Sequence, residues 1–274
     1  MEEVVLGNVL HKAGAFVGRA TAIAAGFPAT TSFQLVNRWC SSGLLATQTV
    51  ANQIKLGNCE IGIAIGAESM SESPDGGAPP FCARITDHDV AKDVLQPMGW
   101  TSENVARDFG ITREAQDEFA AQSFQKAERS QKAGWPVEEI LPIETEWVDP
   151  KTGERRKITA DHDDGVRYGT TKESLAKIRS AFPQWSPSTT TGGNASQITD
   201  GAAALLLMRR STAERLGQPI LAKFVTAVVA GLEPRIMGIG PVVAIPKLLK
   251  KVGLEKDDVD IFEINEAFAS MVSG

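Results

Sequence analysis

The segment Val36-Asn37-Arg38-Trp39-Cys40-Ser41-Ser42-Gly43-Leu44 puts a cysteine where a β-branched run gives way to a helical pattern. At such a strand-to-helix elbow, unpaired N–H groups and the positive end of the helix dipole stabilise a thiolate. A thiolate that is accessible and aimed is what acyl transfer requires, and the neighbouring backbone amides can hold an oxyanion. Residue type alone leaves a second reading open, a small apolar side chain packed in the core, because free cysteine is among the most buried residue types. A second segment, Asn265-Glu266-Ala267-Phe268-Ala269, follows a strand pattern at Val259–Ile264. Ligands in open α/β sheets gather at the carboxyl ends of strands. Asn265 is therefore placed to donate a hydrogen bond to an oxyanion, directly or through water, and Glu266 to orient a neighbour. The same asparagine also suits a helix cap.

Other chemistries find less support. His88, in Thr86-Asp87-His88-Asp89, and His162, in Asp161-His162-Asp163-Asp164, read as parts of solvated acidic loops. No metal-ligand spacing recurs, so no metal is expected. Cys40, Cys59 and Cys82 form an odd set without C-x-x-C, which argues against a disulfide framework or a zinc site and for a reducing compartment. The net charge of −6, with no basic block beyond Arg155-Arg156-Lys157, excludes a nucleic-acid backbone binder. The apolar runs Gly201–Met208 and Phe224–Leu232 fall short of the roughly 20 residues that span a bilayer. No transmembrane segment is expected. The acidic start Met1-Glu2-Glu3 lacks the basic and apolar regions of a signal peptide and reads as the interior of a domain.

The elements that must position these residues alternate. Val4–Val9 reads as a buried strand, Ala20–Ala25 as a small-residue helix and Thr30–Val36 as a strand. Ser41–Lys55 is helical, with Leu44, Leu45, Val50, Ala51 and Ile54 on its apolar face and Gly57 as its stop. Glu60–Ala67 is a Gly-punctuated strand. This order predicts an α/β layer with a parallel sheet. From about Ser69 to Thr191 the chain turns polar and Pro/Gly-rich, an excursion carrying one amphipathic helix from the N-cap Thr112 to Gly134 and a turn at Asp149–Gly153. The α/β pattern then resumes with a strand at Gly201–Met208, a helix at Ser211–Leu216 and a junction at Gly217-Gln218-Pro219. Beyond that lie strands at Ala222–Ala230 and Val259–Ile264 with a helix at Val242–Val252 between them. The acidic-then-apolar strands at Glu2–Leu10 and Asp257–Ala267 are a short internal echo of the kind two similar halves would produce.

Taken in order, VNRWCSSGL, GAESMS, PMGWTSENVA, TTTGGNASQITDGAAALLL, IMGIGP and DIFEINEAFAS resemble the 3-ketoacyl-CoA thiolases, the peroxisomal branch above all. The likeness runs from Glu2 to Ser270. It implies a layered α/β/α/β/α fold with two similar halves and an inserted loop domain at about 69–191. The N-terminal domain would occupy 1–210 with an incomplete start, and the C-terminal domain 218–274 with an incomplete end. It also implies thiolytic cleavage of a 3-ketoacyl-CoA by coenzyme A in fatty-acid β-oxidation, with coenzyme A as substrate and no cofactor. Cys40 would carry the acyl group, Asn265 would hold the oxyanion-hole water, and Met98 and Thr226 would touch the substrate. A homodimer or tetramer in the peroxisome follows from the branch, with mitochondrial or cytoplasmic placement as the alternative.

The sequence also departs from that pattern. It contains neither the Gly-His-Pro loop nor the Cys-x-Gly loop whose second cysteine is the acid and base. His11, His88 and His162 do not match the former, and Cys59 and Cys82 read as structural. The opening strand and helix of the family are absent before Glu2, so unpaired sheet edges and exposed apolar faces are expected. Trp39 stands where the family usually has glutamine. Complete turnover is therefore expected to be impaired. The alternative is a non-catalytic product that binds acyl-CoA or pairs with a full-length subunit.

Overall fold

Val4 and Val5 alternate across the two faces of the first strand and both are buried, which fixes Glu3–Gly7 (β1) at the centre of a sheet. The computed structural model describes residues 1–149 and 151–273. Pro150, within the turn expected at Asp149–Gly153, and Gly274 lie outside the described residues. The chain divides into two units: Met1–Ala78 with Ile198–Val229, and Pro79–Gln197 with Ala230–Gly274.

In the first unit, β1 is followed by helix α1 (Gly14–Ala24), strand β2 (Ser32–Val36), helix α2 (Ser42–Leu56) and strand β3 (Ile61–Glu68). β1 pairs in parallel with β2, Gly7 opposite Val36, and with β3, Gly7 opposite Gly66. It is thus hydrogen-bonded on both sides. Val5, Ala46, Val50 and Ala64 form the core beneath α2, with Val36, Ile54 and Leu207 packed around them. Gly57 takes φ 82° and ends α2 as its left-handed cap.

Two glycine contacts set how closely the start of α2 approaches the sheet. A Cβ at Gly7 would lie 2.4 Å from the carbonyl carbon of Ser42, and one at Gly66 would lie 3.3 Å from the Gly43 Cα. Backbone meets backbone there, so a side chain has no room to move aside. Gly7→Ala is expected to displace the start of α2 and to cost about 1–3 kcal/mol of stability, as overpacking does. A thermal-denaturation midpoint equal to that of the parent would refute this.

The second unit opens with the short helix α3 (Ala83–Thr86), followed by α4 (Met98–Asp108) and α5 (Arg113–Lys132). The Thr112 side chain caps α5 by accepting from the Ala115 N–H, as its sequence predicts. Strands β4 (Ile143–Val148) and β5 (Arg155–Ala160) make an antiparallel hairpin. The Asp149 carboxylate at its tip accepts from the Lys151 and Thr152 amides, which holds its pKa below the usual carboxylate range. Helix α6 (Lys172–Leu175) follows, with a capping box between Thr171 and Ser174.

The chain then returns to the first unit as strand β6 (Gly201–Met208) and helix α7 (Arg210–Arg215). β6 pairs with β3, giving the order β2-β1-β3-β6, but it runs antiparallel, Ile61 opposite Met208. The sheet is therefore mixed rather than wholly parallel. The long connection from β3 to β6 is not a single helical crossover, and so nothing imposes the parallel direction. Leu205 and Leu206 on this edge strand are exposed, as the expected apolar faces require.

The structure departs from the sequence reading in four further places. Helix α4 was not foreseen, because the residues it buries are largely polar. Neither Ala222–Ala230 nor Val259–Ile264 joins a sheet among the described residues; a β-branched run becomes a strand only where a neighbouring strand offers a ladder. Leu44 does not face the core, since Ser42, Ala46 and Val50 take the buried positions of α2. The last helix, α8 (Gly240–Val252), starts two residues earlier than its pattern and carries Pro246 within it.

Candidate functional site

The elbow between β2 and α2 is built by hydrogen bonds from its own residues. Asn37 donates through Nδ2 to the Val9 carbonyl at 3.1 Å and accepts the Trp39 N–H through Oδ1 at 3.0 Å. Ser42 Oγ accepts the Arg38 N–H at 2.8 Å and donates to the Trp39 carbonyl at 2.6 Å. The Ser42 N–H reaches that same carbonyl at 3.0 Å. Held at both ends, Trp39 adopts φ +46°, which no other non-glycine residue among those described shares on the positive side. For a bulky residue that conformation costs on the order of 1–3 kcal/mol and persists only where the surroundings over-determine it. The next residue is Cys40, and its side chain is exposed. The alternative of a small buried hydrophobe is thereby removed. Cys40 stands beyond the carboxyl end of β2, ahead of the first turn of α2.

A loop that sequence reasoning passed over braces this elbow. The Glu68 carboxylate at the end of β3 accepts the Val9 N–H at 2.7 Å, the Leu10 N–H at 3.2 Å and Asn8 Nδ2 at 3.0 Å. Asn8 also donates to the Ala67 carbonyl. Glu68 therefore fixes the chain leaving β1, and that chain presents the Val9 carbonyl to Asn37. The signal was in GAES, where a carboxylate ends a Gly-punctuated strand.

In the second unit, Asn265 and Glu266 are exposed and line a cleft of about 240 Å³ with Phe119, Ser123, Phe124 and Val166. Asn265 lies outside any helix and caps none, and the following 3-10 turn, Ala269–Met271, has Phe268 at its cap position. The cap reading is therefore removed as well. Glu266 accepts a short hydrogen bond from Ser123 Oγ on α5. Ala267 and Ala269 dock on the strand-like segment Asn194–Ser196: the Ser196 N–H donates to the Ala267 carbonyl and the Ala269 N–H to the Asn194 carbonyl, both at 2.9 Å.

The support under that cleft is a buried polar network that the apolar pattern could not reveal. Asn194 Oδ1 accepts the Thr191 N–H at 2.7 Å, and its Nδ2 donates to Asp117 at 3.0 Å. Asp117, whose side chain is 1% exposed, receives Arg113 Nε at 2.7 Å. Arg113 in turn donates to the Leu175 and Ile178 carbonyls. Glu103 on α4 accepts the Thr189 and Thr190 amides, while Ser102 joins Thr190 and Ser270. The clue was the run TTTGGNAS, too polar for a core strand yet almost wholly buried from Thr190 to Asn194.

Cys40 and Thr226 lie in the first unit, Met98 and Asn265 in the second. Met98 is half-buried as the first residue of α4, and Thr226 is half-buried in the segment expected to be a strand. Cys59 is buried, and burial, aided by the charges of Glu2 and Glu3, pushes its thiol up. Cys82 is exposed. His162 is exposed beside Asp161, whose hydrogen bond and charge raise the imidazole's pKa. Among the described residues no group of His, Cys, Asp and Glu side chains could hold a metal ion, and no helix is long and apolar enough to cross a membrane.

Comparison with known proteins gives a consistent result. The family model for the thiolase N-terminal domain matches residues 1–211, and that for the thiolase C-terminal domain matches residues 218–273. The chain is 52% identical over 270 residues to the peroxisomal 3-ketoacyl-CoA thiolase of Yarrowia lipolytica, covering 98% of this chain and 64% of that protein. It is 49% identical over 272 residues to the human peroxisomal 3-ketoacyl-CoA thiolase, covering 99% of this chain and 63% of that one. The crystal structure of the dimeric peroxisomal thiolase of Saccharomyces cerevisiae superposes with a TM-score of 0.91 at 45% identity, over 99% of this chain and 68% of the other. The chain thus spans less than two thirds of the length of the two curated relatives.

Proposed function

The chain belongs to the thiolase family, and from that premise we propose that it carries the acyl-accepting half of a 3-ketoacyl-CoA thiolase of fatty-acid β-oxidation, with Cys40 as the nucleophile. The observation that supports this reading is Cys40 itself, exposed on a hydrogen-bonded elbow within VNRWCSSGL. In the proposed reaction the Cys40 thiolate adds to the 3-keto carbon and an Sγ–C bond forms. The C2–C3 bond then breaks, and its electron pair leaves as the enolate of acetyl-CoA, which takes up a proton. The shortened acyl group stays on sulfur as a thioester. A second coenzyme A thiol attacks that thioester, releasing the shortened acyl-CoA and restoring Cys40. Asn265 holds the water that stabilises an oxyanion, and Met98 and Thr226 touch the substrate. By the likeness to peroxisomal relatives, the place of action is the peroxisome.

Two proton transfers in that scheme need an acid and a base. The 274 residues include no Gly-His-Pro and no Cys-x-Gly sequence. For these 274 residues taken alone the proposal is acyl transfer to Cys40 with slow turnover, because the acid and base that would cooperate with it are not among them. Incubation with a long-chain 3-ketoacyl-CoA and coenzyme A is expected to release no more than about one acetyl-CoA per chain before stopping, as a single acylation event allows. Steady release over many equivalents would overturn the impaired-turnover part of the proposal.

A second reading, pairing with another thiolase chain, draws on β6, an edge strand whose Leu205 and Leu206 face water. A burst of acetyl-CoA supports the first reading. Absence of any burst, together with co-elution with a full-length thiolase, supports the second.

A further inference from the structure

Cys40 is bracketed by two large apolar side chains that the fold leaves in water. Trp39 is 68% exposed and Leu44, in the first turn of α2, is 56% exposed. Ser42, Ala46 and Val50 take the buried positions of α2 and leave Leu44 facing outward, and a bulky residue with φ +46° is unfavourable unless held. The Trp39 backbone is held at its N–H by Asn37 and at its carbonyl by Ser42, so the hydrogen bonds of the elbow fix the residue that carries the indole. Large apolar surface kept exposed on both sides of an exposed thiol marks a place for an apolar ligand.

We infer that Trp39 and Leu44 form an apolar rim that selects the acyl group carried on Cys40, favouring aliphatic chains over acetyl. The inference rests on the reading of Cys40 as the acyl-accepting nucleophile. The occupant is set by tethering. An aliphatic chain bonded to Sγ is held within a few bond lengths of the neighbouring residue, so its contacts with the rim are intramolecular and favoured by a high effective concentration. A two-carbon acyl group offers the rim little apolar area, whereas a chain of about six to eight carbons offers several times more. The rim thus acts after the Sγ–C bond has formed as well as during its formation, and it discriminates by length through the apolar area removed from water.

Alkyl thiosulfonates test this without requiring turnover. The Cys40 thiolate displaces methanesulfinate from an alkyl methanethiosulfonate and keeps the alkylthio group, so methyl and octyl reagents report on chain length alone. Rates are read at Cys40 by peptide mapping, with the exposed Cys82 in the same sample as reference. In Trp39→Gln the octyl-to-methyl rate ratio at Cys40 is expected to fall five- to tenfold, and in Leu44→Ala two- to fivefold, with the ratio at Cys82 unchanged. Circular dichroism and melting temperature identify a variant that fails to fold, and the other variant then carries the test. Ratios at Cys40 unchanged in a folded variant would overturn the rim. A parallel arm offers hexanoyl-CoA and acetyl-CoA as acyl donors. If no acyl group reaches Cys40 in any protein while the thiosulfonate ratio still falls, the rim stands and the thiolase reading of Cys40 fails.

Discussion

Asp117→Ala is expected to lower the stability of the second unit by about 3–5 kcal/mol, as removing one partner of a buried, hydrogen-bonded ion pair does. The Asp117 carboxylate is the shared acceptor for Arg113 Nε at 2.7 Å and Asn194 Nδ2 at 3.0 Å, and its side chain is 1% exposed. Its loss leaves a guanidinium that still reaches the Leu175 and Ile178 carbonyls but has no countercharge, and an amide that keeps only the Thr189 carbonyl. Asn194 also holds the Thr191 N–H and accepts, through its own carbonyl, the Ala269 N–H. The damage should therefore spread to the segment carrying Asn265. Urea denaturation followed by tryptophan fluorescence measures it. Asp117→Asn, which keeps an acceptor for Arg113, should lose clearly less. Equal losses in the two variants would show that the charge is irrelevant, and no loss in either would remove the network from the account of this unit.

Cys40→Ala is expected to abolish acyl transfer altogether while leaving the fold intact. The side chain is exposed and the elbow is held by Asn37 and Ser42, neither of which uses the thiol. The variant should match the parent in melting temperature to within about 0.5 kcal/mol of stability, as surface substitutions do. Cys82 serves as an internal control, being equally free and exposed but outside the elbow. If acyl groups from a 3-ketoacyl-CoA accumulate on Cys82 at the parent's rate in both proteins, thiol exposure alone accounts for the chemistry and the elbow contributes nothing.

The nucleophile elbow was legible because each of its parts is local. A β-branched run, a cysteine and two serines follow one another directly, and the glycine stop at Gly57 ends the helix they open. The close approach of α2 to the sheet could be inferred only loosely, since Gly7, Gly43 and Gly66 are diagnostic in combination and lie on three elements. Helix α4 escaped for the opposite reason. It buries Thr101, Ser102, Glu103 and Asn104 beside Val105 and Ala106, and partners of Glu103 and Ser102 lie 87 residues away at Thr190 and 168 away at Ser270. Hydrophobic periodicity carries no signal where the core is polar and satisfied across such distances. The two apolar runs at Ala222–Ala230 and Val259–Ile264 show the converse failure. They have the composition of strands, but a strand is defined by its neighbour, and composition cannot supply one. Leu44 was assigned to the core by period alone; Ser42, Ala46 and Val50 are the residues of α2 that the sheet buries.

Intact-mass analysis of the purified chain after incubation with a 3-ketoacyl-CoA, followed by peptide mapping, tests whether Cys40 is an acyl-accepting nucleophile. The predicted result is one added acyl group, shorter by two carbons than the donor's, on the peptide containing Cys40 and absent from Cys40→Ala. An unmodified chain, or an adduct that persists when Cys40 is replaced, would contradict it.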